Sequence, residues 1–290
     1  MAFRTVIIND RCKLEYSLNY LICRKLNEEK KVLLDEVKIL MINSTQVSIS
    51  TYLITKCIEK KIKIIFTDEA HNPSGEIVGY YNNYYSYRKI KEQLSISSET
   101  KDFLWKEIVK EKIINQANVL KKQNHLKEYQ MLIDYSNDVQ LGDVSNREGH
   151  SAKVYFNALF EKGFSRRNDD FINVVLNYGY SIILATINRE IKSLGYLTEL
   201  GIHHIGESNQ FNLSCDLIEP IRPLVDNTAI NFEINETNYK NIMIELLSKE
   251  VFYNNQTIKL DNAIHLYVED LLFFLKTGNV EKIKFIKYEF

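Results

Sequence analysis

The spacing of apolar residues changes once along this chain, and that change limits the fold more than any single motif does. From Lys13 to Cys23 the side chains Leu14, Tyr16, Leu18, Tyr20 and Ile22 occupy alternate positions, which is the period of a half-buried strand. Further strands are expected at Lys31 to Leu34, Val37 to Ile42 and Lys61 to Phe66. Between Ser48 and Lys60, Ile49, Leu53 and Cys57 recur every fourth residue and predict one helix. Asn72-Pro73-Ser74-Gly75 reads as a turn. Beyond about Tyr87 the spacing becomes three and four. Trp105, Val109, Ile113 and Ala117 make one helical stripe, and Ala152, Tyr155, Phe156, Leu159 and Phe160 make another. A third helix runs from Asp170 through Val174, Tyr178 and Ile182 to a stop signal at Gly195. Near the end the pattern predicts a strand at Gln256 to Leu260, a helix at Asn262 to Leu275 and a strand at Glu281 to Tyr288.

The expected fold class is therefore α+β: an N-terminal β-rich domain with one helix over residues 1–75, a linker over 76–90, and a mostly α-helical C-terminal domain over 91–290. A length of 290 residues suits two domains, and 45% hydrophobic with 26% charged content is that of a globular chain, not a disordered one. No internal repeat or low-complexity tract interrupts it. The 37 basic and 38 acidic residues nearly cancel, so any phosphate-binding surface must be local. Cys12, Cys23, Cys57 and Cys215 are far apart and form no C-x-x-C pair, which argues against a zinc ribbon or disulfide framework and fits a reducing cytoplasm. The apolar run at Thr5 to Ile8 is too short for a signal peptide, and no later run is long enough to span a bilayer, so a soluble cytoplasmic protein with no membrane partner is expected.

Three segments carry the chemistry. Ser145-Asn-Arg-Glu148 matches a capping box, in which the glutamate reaches back to the N-cap amide. Glu148 also precedes Ala152 by four residues and so lies along the buried stripe, where a carboxylate needs a partner such as a metal. Asp216-Leu-Ile-Glu219, followed by Pro220, matches a second capping box; two carboxylates at that spacing also suit one metal ligand beside an orienting or second-metal group. His203 and His204 lie in a loop bounded by Gly201 and Gly206, and adjacent residues rarely point the same way, so at most one of them is a ligand. His150, one turn from Glu148, competes for that role. Two carboxylates and an imidazole make a mixed oxygen and nitrogen set that suits Mg²⁺ or Mn²⁺ and phosphoryl transfer. Spacing alone leaves capping and metal binding both open.

Asn146-Arg147-Glu148-Gly149-His150-Ser151-Ala152-Lys153, Leu176-Asn177-Tyr178-Gly179-Tyr180, the Gly201-to-His204 loop and Asp216-Leu-Ile-Glu219-Pro-Ile-Arg222-Pro together resemble the CRISPR-associated protein 1 family, in the short version found in type II-A systems. The resemblance covers nearly the whole chain. It implies a β-rich N-terminal domain, an α-helical catalytic domain, and a site made of a Glu in a helix after the linker, a His in a G-x-x-H loop and an acidic residue in a D-x-x-[DE]-x-x-[RK] segment. Those positions are Glu148, His204 and Glu219, the last being Glu where many relatives have Asp; Asp216 matches an auxiliary acidic position. The activity implied is metal-dependent integration of short DNA fragments into a CRISPR array, by attack of a fragment's 3′ hydroxyl on a repeat phosphodiester, with an associated endonuclease activity. The cofactor implied is Mg²⁺ or Mn²⁺. The partners implied are double-stranded DNA, a second copy of the chain, a dimer of CRISPR-associated protein 2, and the type II-A accessory ring protein and RNA-guided effector nuclease.

Arg88-Lys89-Lys91 and Arg166-Arg167 are the candidate DNA contacts, since phosphate neutralisation supplies most sequence-independent affinity; a solvated helix face explains either equally well. Tyr80, Tyr81, Tyr84, Tyr85 and Tyr87 suit stacking on bases or, alternatively, packing in a core or dimer interface. Two other functions fit the residues: a metal-dependent DNA repair nuclease that only hydrolyses, and a catalytically silent DNA-binding scaffold whose Glu148 and Glu219 cap helices.

Overall fold

The computed structural model describes residues 4–26, 28–68, 73–77, 79, 86–160 and 162–288. The chain divides into two compact units, Met1–Ser86 and Tyr87–Phe290.

The first unit is built from two sheets and a helix. β1 (Arg4–Ile8), β5 (Val37–Ile42) and β7 (Lys63–Thr67) pair in parallel, and β8 (Pro73–Ile77) closes that sheet antiparallel on β7. The second sheet runs β4 (Glu29–Leu33), β3 (Tyr20–Arg24), β2 (Lys13–Ser17) and β6 (Ser48–Ile49). β5 is an inner strand of its sheet and is buried along nearly its whole length, so apart from Lys38 it is apolar, with Val37 and the run Ile39-Leu40-Met41-Ile42. The helix predicted from Ile49, Leu53 and Cys57 is α1 (Thr51–Glu59), capped by the Ser50 hydroxyl, which accepts from the Leu53 amide. Leu53 and Cys57 are fully buried against Leu14, Leu21, Leu40 and Ile64.

Two expectations in this unit need correcting. The segment Lys13 to Cys23 is not one strand but a hairpin, because Leu18 and Asn19 both adopt left-handed φ values, 47° and 65°, and make a two-residue turn. Across the turn the shared face passes from even to odd positions, with Leu14 opposite Cys23 and Tyr16 opposite Leu21, and the apolar residues at both parities of β3 hide that change in the sequence. The expected turn around Pro73 is instead the start of β8, an edge strand, where proline is tolerated at the first position. Residues 76–77 of the expected linker thus close β8, and residues 86–90 open a helix. Tyr80, Tyr81, Tyr84 and Tyr85 lie outside the described residues, and Tyr87 is exposed.

The second unit is helical. α2 (Ser86–Leu94) leads into α3 (Ser98–Lys122), whose first turn is capped by the Ser97 hydroxyl. The expected stripe of Trp105, Val109, Ile113 and Ala117 is buried, but so are Glu111, Lys112, Asn115 and Gln116, so α3 is enclosed on most sides. α4 (Leu126–Asn137) and α5 (Arg147–Leu159) pack on it. α6 (Phe171–Ser193) packs on α7 (Asn212–Ile218), α8 (Arg222–Asn231), α9 (Tyr239–Glu245) and α10 (Leu260–Thr277). Contrary to expectation, α6 is long and apolar enough to cross a membrane by length and composition; it is also mostly buried inside this unit, with Asn173, Thr186, Asn188, Arg189 and Glu190 along it. Near the C-terminus, β9 (Glu250–Tyr253) and β10 (Gln256–Lys259) form a hairpin through left-handed Asn254 and Asn255. The strand expected at Glu281 to Tyr288 is a 3₁₀ turn at Val280–Lys282 followed by irregular chain that touches β9 through one bridge, Phe252 to Lys287.

Candidate active site

Glu148 stands in the first turn of α5, and other residues satisfy that helix end. Asn146, in left-handed conformation, is the N-cap, and its Oδ1 accepts from the Gly149 amide at 3.2 Å. A Cβ on Gly149 would stand 2.7 Å from that oxygen, which explains a glycine here. The two Asp143 oxygens accept from the amides of Arg147 at 2.8 Å and Glu148 at 2.9 Å. The capping box read from Ser145 is therefore not formed, because left-handed Asn146 moves the cap one residue along and Asp143 takes the next amides. The Glu148 carboxylate is left for another partner: its Oε1 accepts from Lys112 Nζ of α3 at 2.6 Å.

Glu219 sits where α7 gives way to a 3₁₀ turn, Glu219–Ile221, before α8. Pro220 and Pro223 withhold amide donors here, and the exposed backbone is met from elsewhere. The Pro220 carbonyl accepts from Asn115 Nδ2 at 2.9 Å and from the Tyr288 hydroxyl at 2.6 Å. Asn115 is three residues past Lys112 on α3, so the same helix that receives the Pro220 carbonyl presents Lys112 to Glu219. Lys112 Nζ stands 2.5 Å from Glu219 Oε2 as a charge contact, and Arg222 Nε donates to Glu219 Oε1 at 2.8 Å. Glu219 is 4% exposed. It caps nothing.

Asp216, three residues earlier, is fully buried and organises the histidine loop. Its Oδ2 accepts from the amides of Ile202 at 2.6 Å and His203 at 3.2 Å, and its Oδ1 from the amide of His204 at 3.0 Å. The second expected capping box is thus replaced by a cap across the fold. His204 Nδ1 lies 2.6 Å from the same Oδ1. Because the Asp216 oxygens already accept backbone amides, Nδ1–H is the donor, and a neutral imidazole then keeps its lone pair on Nε2. Gly201 makes the loop possible, since a Cβ there would stand 2.1 Å from the His204 carbonyl oxygen and 2.9 Å from Asp216 Oδ2. Gln93 pins the preceding backbone by donating to the Leu197 and Leu200 carbonyls, and Asn212 Nδ2 donates to those of Glu199 and Gly206. His203 points elsewhere: its ring stacks on Trp105 with centroids 4.2 Å apart and planes 3° from parallel.

Charge follows from this geometry. Burial alone would raise the Glu219 carboxyl, but the Arg222 guanidinium and then the Lys112 ammonium outweigh it and hold it at about 2. Burial works against the Lys112 charge, yet Glu219 and then Glu148 keep that ammonium above its usual range. The hydrogen bond with Asp216 raises His204 above its ordinary 6.5 against the opposing effect of burial, and the charges of Asp216, Glu219 and Glu148 add to the rise.

The remaining candidates are placed differently. His150 is exposed, and its ring leans on Tyr135. Arg88 pairs with Glu92 on its own helix, and Lys89 lies over the Tyr196 ring. Arg166 is half-buried, donates to Asn173 and Asn177, and lies 5.2 Å over the Tyr180 ring; Arg167 is exposed. Arg222 lies 4.6 Å over the same Tyr180 ring, and the Tyr180 and Tyr155 hydroxyls both donate to buried Asp226. Lys112, Asp143 and Gln93 were not singled out in the sequence, and only the buried-stripe position of Lys112 offered a signal.

Among the described residues, no three His, Cys, Asp or Glu side chains are grouped closely enough to hold a metal ion as they stand. The donors nevertheless fit a divalent cation: one positive group, the Lys112 ammonium, already lies between Glu148 and Glu219, and the oriented imidazole leaves Nε2 for a ligand.

A family model described as CRISPR associated protein Cas1 matches residues 5–260. The CRISPR-associated endonuclease Cas1 of Neisseria meningitidis serogroup C (strain 8013) is 33% identical over 231 residues, which cover 80% of this chain and 76% of that relative. Among solved structures, a casposase bound to integration product is similar at a TM-score of 0.79 and 20% identity, over 99% of this chain and 95% of that one. A Cas6-RT-Cas1–Cas2 complex includes a longer chain, of which this one spans 36%, similar at a TM-score of 0.78 and 18% identity over 99% of this chain. At these identities the two structural likenesses speak for the fold. With a family model over most of its length and a relative a third identical, the chain belongs to the CRISPR associated protein Cas1 family.

Proposed function

We propose that the chain is a metal-dependent DNA endonuclease and integrase of CRISPR adaptation, which joins the 3′ hydroxyl of a short DNA fragment to a phosphodiester at the edge of a repeat. Glu148, His204 and Glu219 are the residues assigned to the metal. The observation that carries the reading is that two far-separated glutamates converge on one cation, Lys112, beside a histidine held by Asp216. Neither glutamate is spent on capping its helix, which weakens the scaffold alternative.

Each residue has a separate task. Glu148 and Glu219 offer carboxylate oxygens, His204 offers Nε2, and Asp216 fixes the tautomer and angle of the ring. Arg222 holds one Glu219 oxygen and so sets the direction of the other. When bound, Mg²⁺ or Mn²⁺ would supply Lewis acidity that lowers the pKa of the attacking hydroxyl and stabilises charge on the reacting phosphate. Strand exchange conserves bonds: one phosphodiester forms, one breaks, and the strand bearing the released 3′ hydroxyl leaves. Water in place of the hydroxyl gives cleavage only.

The partners proposed are double-stranded DNA, a second copy of the chain and CRISPR-associated protein 2, with the type II-A accessory ring protein and RNA-guided effector nuclease as further partners. The casposase bound to integration product and the Cas6-RT-Cas1–Cas2 complex support DNA and the second protein respectively. The decisive experiment offers the chain, CRISPR-associated protein 2 and Mn²⁺ a labelled duplex together with a plasmid bearing a repeat. Label joined to the repeat edge is expected, with none from a duplex ending in a 3′ deoxy sugar. Nicking without joining favours the repair nuclease; neither reaction, with binding retained, favours the scaffold.

A further inference from the structure

Lys112 stands out as a charged side chain that the local structure does not require. It lies within α3 between Ile108, Val109 and Ile113, all fully buried, and is itself 6% exposed, a position an apolar residue would fill at lower desolvation cost. Its ammonium does not serve Glu219 alone, because Arg222 already neutralises that carboxylate. What only Lys112 does is bridge: its Nζ lies 2.6 Å from Glu148 Oε1 and 2.5 Å from Glu219 Oε2. Without it, two carboxylates from different helices would face each other with no described cation between them, since Arg222 reaches Glu219 alone.

A divalent ion held by the same oxygens would stand about 2.0 to 2.2 Å from each. That place overlaps the ammonium, and two like charges so close repel. Ion and ammonium therefore exclude one another. We propose that Lys112 is a built-in counter-cation, which assembles the two glutamates in the metal-free chain and must be displaced when a divalent cation binds, so that it sets how much metal the site needs. The proposal rests on the metal reading above and assigns Lys112 a positioning role. It has two consequences. The two glutamates are brought together before metal arrives, and their affinity for metal is lower than that of the same donors without the lysine.

The test compares wild type, Lys112→Met and Glu148→Gln by direct Mn²⁺ binding, read from the electron paramagnetic resonance of free Mn²⁺, and by thermal melting with and without Mn²⁺. Lys112→Met is expected to bind Mn²⁺ at least tenfold more tightly than wild type, to melt lower without metal, and to gain more from Mn²⁺ than wild type does. Equal or weaker binding by Lys112→Met overturns the proposal, whatever happens to its melting point. If Lys112→Met does not fold alone, recovery of its circular dichroism during Mn²⁺ titration supports the proposal, and failure to recover overturns it. Binding by wild type that Glu148→Gln lacks keeps the metal reading intact even when Lys112→Met refutes the counter-cation. No Mn²⁺ binding by wild type removes both.

Discussion

The two units bury different kinds of side chain. In the described part of the first unit the interior is almost wholly apolar, with Asn43, Lys63 and Thr67 as its buried polar groups and Leu14, Leu40, Leu53 and Ile64 at its centre. The second unit encloses Glu111, Lys112, Asp216, Glu219, Asp226, Arg189 and Glu190 among its leucines and isoleucines. An apolar interior stabilises by removing area from water, whereas a buried charge costs free energy unless each partner is in place. The difference teaches where to look for chemistry: the second unit tolerates buried charge because the charges are paired, Lys112 with Glu148 and Glu219, Arg189 with Glu190 and Asp261, and Asp226 with two tyrosine hydroxyls.

That contrast breaks if the two interiors respond alike to loss of one side chain. Glu219→Ala leaves the Lys112 and Arg222 cations without their shared carboxylate and should cost about 3 to 5 kcal/mol, and Glu219→Gln, which keeps the shape and an accepting oxygen but not the charge, should cost nearly as much. Leu53→Ala in the first unit should cost about 2 to 5 kcal/mol through its cavity, with no rescue by a polar isostere. Denaturant melts of the three variants check this; a loss for Glu219→Gln much smaller than that for Glu219→Ala would show that charge is not what matters there.

A smaller effect separates the units by pH. Burial pushes the Asp226 carboxyl up to about 6 from an ordinary 3.8, against the hydrogen bonds from Tyr180 and Tyr155 and the charges of Arg166 and Arg222. Between those values the folded chain keeps a proton that the unfolded chain has lost, so this group's contribution falls as pH rises from about 4 to about 6 and is constant above. The loss should be about 2 to 3 kcal/mol. Asp226→Asn should flatten that slope, and an unchanged slope would place the titration elsewhere. The smallest expected effect is His203→Ala, which removes the stack on Trp105 and should cost about 1 kcal/mol while strand joining per folded molecule stays near wild type.

Much of this organisation was legible in residue spacing. The change from alternate to helical period located β4, β5 and β7 and the helices α1, α3, α5, α6 and α10, because side-chain period follows from backbone geometry alone, whereas β1, β8, β9 and α4 were not read from it. Turns were harder: Leu18-Asn19 carries no glycine, and its two residues hid inside an unbroken alternation. The capping boxes misled for a different reason. Ser145 to Glu148 and Asp216 to Glu219 have the right local pattern, but left-handed Asn146, Asp143 and the amides of the histidine loop are tertiary facts that a local pattern does not contain. Lys112 was missed on the same ground, since its partners lie 36 positions along at Glu148 and still further along at Glu219.

Glu148 offers the most direct test of the catalytic reading, because its side chain is one-third exposed and Gln can still accept from Lys112. Metal-dependent strand joining, thermal stability and duplex binding should be measured on one Glu148→Gln sample. The expected result is a loss of joining of about a hundredfold or more, with stability and duplex binding close to wild type. Joining that survives within about tenfold of wild type on a folded, DNA-binding sample would contradict the assignment of Glu148 to the reacting cation.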